Sequence, residues 1–181
     1  MTNLEGYKIR KAKPEDVLGL HNVYYITWLD TYPNQEFNIT KEDIIFKYES
    51  RLDPEKLVER KEKISKIGKN EVLLLVEKDG VVVAVCNAVQ DDVCNELRSI
   101  YVLPEHQGRR LGWNLWAEAK KIFDPKKETL VKVASYNEKA INFYKKIGFE
   151  STGEIIFDEK FKMRNGAIIP ELKMIRRPIN R

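Results

Sequence analysis

Cys86 and Cys94 are the only cysteines in the 181-residue chain, too few and too oddly spaced for a disulfide framework or a thiolate metal site. They read as free thiols, small buried residues rather than nucleophiles. Histidine is as scarce: His21 and His106 share no metal-ligand spacing with other candidates, so no metal is expected. Long apolar runs are missing too. The stretches "VLLLV" and "VVVAVC" fall far short of the roughly 20 residues that a membrane-spanning helix needs. The opening "MTNLEGYKIRKAKPED" has neither the apolar stretch nor the small-residue cleavage site of a secretory signal, so a cytoplasmic location is expected. No internal repeat, low-complexity segment or linker interrupts the chain, and its length suits one domain over residues 1–181.

Charge of one sign is scarce in one place only. From Lys160 to Arg181 the chain carries seven basic residues (Lys160, Lys162, Arg164, Lys173, Arg176, Arg177 and Arg181) and a single acid, Glu171, although the net charge of the whole is +4. A solvated strand face with a loose end is the commoner meaning of such a run, so a nucleic-acid partner is not expected.

Hydrophobic patterning predicts a mixed sheet. "YKIRKAK" reads as a first strand, and "KPEDVLGLHNVYYITWLDTY" as a helix with Pro14 and two acids in its first turn. Residues 40–67 read as two helices, the second opening at Asp53-Pro54. Two β-branched runs flank Asp79-Gly80, a hairpin signal. "NELRSIYVLP" is a fourth strand that stops at Pro104, and "TLVKVAS" a fifth. Between them Leu111, Leu115, Ala119 and Ile122 recur on one helical face. "NEKAINFYKKIGF" is a short helix with Asn137 to cap it and Gly148 to end it, and "GEIIF" and "AIIPELKMI" close the sheet. The fourth strand, its helix and the fifth strand make one crossover with parallel outer strands.

The loop before that helix carries the chemistry. "HQGRRLGWNLW", residues 106–116, sets Gly108, Arg109, Arg110 and Gly112 at a helix start, where unpaired backbone N–H groups and the helix dipole favour an anion. Glycines admit a bulky pyrophosphate, and guanidinium groups grip it. The Gly-Lys-Ser/Thr ending of a Walker loop and the G-x-G-x-x-G spacing of a dinucleotide fold are both absent. A tight turn with surface arginines has the same spacing.

With these residues in hand, "NELRSIYVLPEHQGRRLGWNLW" followed by "VKVASYNEKAINFYKKIGFE" resembles the GNAT superfamily of acetyl-CoA-dependent N-acetyltransferases. Gln107, Leu111 and Gly112 match its signature between a strand and a helix, and Asn137, Ala140, Tyr144, Gly148 and Phe149 match a second run. The resemblance implies an α/β GNAT-like fold: a mostly antiparallel sheet of about seven strands with one splayed parallel pair, flanked by helices. Arg110 stands where the family's first signature glycine usually sits. A left-handed backbone there costs an arginine about 1–2 kcal/mol; the expectation is a right-handed, helical backbone with the side chain swung outward.

The resemblance also implies roles. Acetyl-CoA, the cosubstrate, is held by the fourth strand at Ile100, Tyr101 and Val102. Its diphosphate falls to the loop of Gln107, Gly108, Arg109, Arg110, Leu111, Gly112 and Trp113, with Asn137 and Tyr144 completing the site. Backbone groups of Ile100 and Val102 are free to pair with the pantetheine arm, and the Ile100 N–H stabilises the oxyanion as an amine attacks the thioester. Tyr144 is the acid that protonates the leaving thiolate, and Glu96 the base for the amine. Each has a plainer reading: a core tyrosine, a strand-end glutamate and a capping asparagine. Trp28 and Tyr32, with Phe37, offer an aromatic wall for an alkylammonium group, or are simply core. The acceptor reads as a small polyamine-like amine, with a peptide or protein amine, or a non-catalytic acyl-CoA-binding module, as alternatives. Homodimers are common in the family.

Overall fold

The computed structural model describes residues 6–178. Strands β1 (Tyr7–Lys11), β2 (Glu71–Lys78), β3 (Val81–Gln90), β4 (Asn95–Val102), β5 (Thr129–Ala134), β6 (Glu150–Phe157) and β7 (Pro170–Arg176) form a seven-stranded sheet in the order β1-β2-β3-β4-β5-β7-β6. All neighbours are antiparallel except β4 and β5. The expected α/β architecture and its one parallel pair are both present. The β2–β3 hairpin turns at Asp79 and Gly80, with φ values of 50° and 81°, the paired left-handed conformation that lets a two-residue turn follow the strand twist.

Helix α1 (Val17–Thr31) follows a short 3-10 turn at Pro14–Asp16. Helices α2 (Lys41–Glu49) and α3 (Pro54–Ser65) fill the region expected to hold two helices. Thr40 and Asp43 form a capping box at the start of α2, whereas Asp53 precedes α3 without a side-chain cap bond. Helix α4 (Leu111–Ala119) buries Leu111, Leu115, Trp116 and Ala119, as its spacing foretold. Helix α5 (Glu138–Lys146) starts at Asn137, whose Oδ1 accepts the Ala140 N–H at 3.0 Å, and Gly148, at φ 93°, follows its end.

The helices divide between the two faces. Helix α1 lies on the face of β4 that carries Ser99 and Tyr101: the Tyr24 hydroxyl is 3.2 Å from Ser99 Oγ and its ring 5.4 Å from that of Tyr101. Helices α4 and α5 cover the opposite face, where Gly112 backs onto Ile100 and Phe143.

One irregularity prepares the site. The β3–β4 register slips between Asn87 and Ala88, leaving Arg98 as an extra residue on β4. Such a bulge bends its strand and increases the local twist. Pairing of β4 with β5 is confined to Asn95–Thr129 and Glu96–Leu130, just before the bulge, and the strands part beyond it. Buried Asn95 pins the closed end, donating to the Asp124 and Lys127 carbonyls and accepting the Asp124 N–H at 3.0 Å.

The basic C-terminal run is spent on local contacts. Lys160, Lys162 and Lys173 pair with Asp158, Glu159 and Glu154. Arg164 lies over Phe46 and Arg176 over Trp116; Arg181 lies outside the described residues.

Candidate active site

Where β4 and β5 separate, a cleft of about 460 Å³ passes from one face of the sheet to the other, a size suited to a small-molecule site. On the α4 face it is lined by Ile100, Val102, Gln107, Gly108, Arg110, Leu111, Gly112, Trp113, Asn137 and Tyr144; on the α1 face by Thr27, Asp30, Tyr32, Arg98, Ser99, Tyr101 and Lys132.

The α4 end of the cleft is shaped by its main chain. Gly108 has φ 76°, and Arg110, the residue before α4, has φ 60° and ψ 14°. The right-handed backbone expected of Arg110 is therefore not found. The loop must reverse before α4 begins, and the left-handed turn at this position lets the Arg110 carbonyl accept the Asn114 N–H at 3.1 Å and its side-chain Nδ2 at 2.9 Å. Arginine replaces the easier glycine and accepts the strain. Gly112 serves packing more than phosphate approach: a Cβ built there meets the Phe143 ring at 3.3 Å and Ile100 Cγ2 at 3.7 Å. Arg109 is exposed and does not line the cleft.

The splayed strand offers fewer free groups than expected. Leu103 donates its N–H to Val83 on β3, and alternation along a strand turns the N–H groups of Val102 and Ile100 the other way, into the gap. The Val102 carbonyl, however, already accepts Gln107 Nε2 at 3.0 Å. Gln107 is fixed in turn by Lys139, which donates to its side-chain oxygen. The signature glutamine thus braces the loop against the strand, taking the Val102 carbonyl and leaving the N–H groups of Ile100 and Val102 turned into the gap.

Tyr144 is 6% exposed and lines the cleft. Its hydroxyl has no hydrogen-bond partner among the described residues. Burial, reinforced by Tyr101 and Cys86, pushes its pKa well up, which keeps it protonated, as a proton donor must be. Opposite it, the Tyr32 and Tyr101 hydroxyls lie 2.7 Å apart. Burial raises both, Tyr101 to about 12.

The Acetyltransferase (GNAT) family model matches residues 20–149, a span that holds the cleft's loop, both splayed strands and Tyr144. The chain belongs to this family. Its cosubstrate is accordingly acetyl-CoA. Solved structures agree in fold. The PaiA N-acetyltransferase of Thermoplasma acidophilum, in complex with coenzyme A, superposes with a TM-score of 0.70 at 22% identity, covering 94% of this chain and 98% of that one. YncA of Salmonella typhimurium, with its cofactor acetyl-CoA, gives 0.60 at 20%, covering 97% and 95%. The ribosomal-protein-S18-alanine N-acetyltransferase of Escherichia coli gives 0.62 at 15%, covering 97% and 96%. No curated protein matches the sequence.

Within this GNAT fold some expected residues stand elsewhere. Trp28 is 5% exposed and does not reach the cleft: it belongs to a second core with Ile39, Ile44, Tyr48 and Met163, its ring 4.4 Å from Tyr32 and 5.4 Å from Tyr48. A tryptophan one turn before Tyr32 follows the helix inward. Phe37 stacks on Tyr136 at 5.6 Å, leaving Tyr32 as the aromatic of that trio in the cleft. Glu96 sits at the closed, paired end of β4, does not line the cleft, and accepts a 3.1 Å hydrogen bond from Arg98 Nε. Cys86 is fully buried and its thiol is pushed up by burial. His106 lies at the cleft rim, its Nδ1 2.9 Å from the Tyr7 hydroxyl. Among the described residues no cluster of His, Cys, Asp and Glu is arranged to hold a metal, and no helix is long and apolar enough to cross a membrane.

Sequence reading missed Asp30, Arg98, Lys132 and Lys139. Lys132 left a trace, a charge between two valines of "TLVKVAS" that alternation turns away from the core. Arg98 needed the bulge to be foreseen, which no residue type announces.

Proposed function

We propose that this acetyltransferase moves the acetyl group of acetyl-CoA to a primary amine of a small, polyamine-like molecule by direct attack through a tetrahedral intermediate. The observation that carries this reading is the cleft through the sheet: it joins an anion-binding helix start on one face to a polar mouth on the other, so thioester and amine meet between β4 and β5.

The diphosphate rests on the N–H groups at the start of α4, with Arg110 and Lys139 at its side. The pantetheine arm runs along β4 as an added strand. The Ile100 N–H, aimed into the gap, donates to the thioester oxygen as it becomes an oxyanion. Tyr144 hands its proton to the departing thiolate. On the far face Asp30 is exposed at the lip without an ion-pair partner among the described residues and attracts a cationic acceptor, while Tyr32 and Tyr101 form its wall.

Calorimetric titration with acetyl-CoA tests the cofactor half, and CoA release with spermidine, a lysine peptide and an N-terminal alanine peptide tests the acceptor half. Saturable acetyl-CoA binding with turnover of spermidine is expected. Binding without turnover of any of the three sinks the small-amine reading, and transfer to a peptide alone replaces it with the protein-acceptor one.

A further inference from the structure

We infer that Glu171, on β7, is the group that takes the proton an acceptor ammonium must lose before it attacks the thioester. The inference rests on the amine-acetylation reading above. It fills a vacancy in that chemistry, because Glu96 is committed to Arg98 at the closed end of the strand pair.

The placement comes from the sheet. Glu171 pairs with Ala134, the last residue of β5, at the open end of the splay. Ala134 packs into the second core with Trp28 and Tyr48, on the α1 face, where the acceptor mouth lies. Lys132, two residues back along the same face of β5, lines that mouth, and its charge is the strongest opposite field on Glu171. Tyr101, another lining residue, feels the Glu171 charge in return. Glu171 does not itself line the cleft; it lies within the field of Lys132 and Tyr101, which do, so a proton from the mouth reaches it through a bridging water.

Its bonding state is what a proton acceptor requires. Glu171 Oε2 is buried with no hydrogen-bond partner, an arrangement that costs about 1–3 kcal/mol, more for a charge, unless something donates to it. The two carboxylates whose charges act on Glu171 are occupied, Glu96 by Arg98 and Asp158 by Lys160 at 2.7 Å, and Asp30, at the opposite lip, is left to attract the cation. The groups facing Glu171 are Lys132 on β5, Lys160 and Asp158 in the segment after β6, and Glu96 and Tyr101 on β4. Desolvation outweighs the two lysines and raises its pKa above the usual carboxylate range, which brings it closer to the amine whose proton it receives.

The step balances. The ammonium N–H bond breaks as its proton passes to a water in the mouth and that water gives one to Glu171, which later releases it to solvent; the freed lone pair forms the C–N bond as the carbonyl π pair moves to oxygen. Collapse breaks the C–S bond, Tyr144 protonates the sulfur, and the second proton lost from nitrogen restores Tyr144.

The test compares wild type, Glu171→Gln and Glu96→Gln with two acceptors from about pH 5, just above the ordinary carboxylate range, to about pH 9: spermidine, protonated at neutrality, and hydroxylamine, already largely neutral there. Glu171→Gln is expected to lower kcat/KM for spermidine by about 100-fold near neutrality, with the gap closing as pH rises toward the amine's own pKa. Hydroxylamine transfer and acetyl-CoA affinity should change less than about twofold. Activity in wild type rises with pH through the raised Glu171 pKa, because only the ionised carboxylate accepts a proton; this limb should vanish in Glu171→Gln and persist in Glu96→Gln. An unaltered spermidine profile in Glu171→Gln, or loss of the limb in Glu96→Gln, overturns the inference. Infrared titration supplies a readout that needs no acceptor: a carboxylic C=O band lost in Glu171→Gln should titrate above the ordinary carboxylate range. A group titrating within that range overturns the inference even if spermidine proves inert, an outcome that by itself would count against the acceptor reading instead.

Discussion

The two ends of the cleft are made by different means. At the end proposed for the cofactor one continuous stretch, Gln107 to Trp113, supplies loop, helix start and charges, and the proposed work falls to backbone N–H groups. At the acceptor end Asp30, Arg98, Tyr101 and Lys132 arrive from three elements far apart in sequence, and they act through side chains. A ligand as constant as a diphosphate is met by main chain, whose geometry any compatible sequence reproduces. A variable acceptor is met by side chains that change one at a time without disturbing the fold.

The sharpest way to break this division is to damage the cofactor end alone. Gly112→Glu places a side chain against the Phe143 ring, 3.3 Å from where its Cβ would lie, and sets a negative charge beside the phosphates. Acetyl-CoA affinity should fall about 100-fold, near 2.8 kcal/mol, in calorimetric titration, with the spectroscopic signature of the fold retained. Undiminished binding would mean that the diphosphate does not sit at this helix start.

Tyr144→Phe probes the junction of the two ends. The hydroxyl has no hydrogen-bond partner among the described residues, so its removal costs little packing, while the thiolate loses its proton donor. Turnover should drop about 10–100-fold with acetyl-CoA affinity within about twofold. An equal loss in both quantities would make Tyr144 a binding residue instead.

The same division explains what the sequence disclosed. The cofactor end was legible because its residues fall in two short runs: Asn137 caps α5, Leu111 opens α4, and the parallel β4–β5 pair follows from one crossover, although the placing of β7 between β5 and β6 did not. The acceptor end was not, because it depends on register. A single bulge at Arg98 decides where β4 leaves β5, and whether Trp28 or Tyr32 reaches the cleft depends on the rotation of α1. Glu171 looked like the lone acid of a basic strand until the pairing with Ala134 located it. Gln107 lines the cleft as expected, but its bond to the Val102 carbonyl of its own chain left no trace in the sequence.

The smallest effect sharpens the comparison most, because it asks what the main chain at the cofactor end costs the fold. Arg110 occupies left-handed space at φ 60°, a conformation that costs a residue with a Cβ about 1–2 kcal/mol. Glycine relieves this strain but gives back about 0.5–1 kcal/mol through the greater freedom of the unfolded chain. Arg110→Gly should therefore stabilise the protein by up to about 1 kcal/mol, a rise in Tm of about 2–4 °C for a domain of this size. Loss of an exposed guanidinium beside the phosphates should weaken acetyl-CoA binding by only about two- to fivefold, because the surrounding water screens it. Opposite signs in the two measurements would show that arginine is kept here for the ligand at the expense of the fold. A Tm that stays level or falls would mean that the loop's remaining contacts, chiefly the two Asn114 bonds to the Arg110 carbonyl, relax with the residue and store no strain.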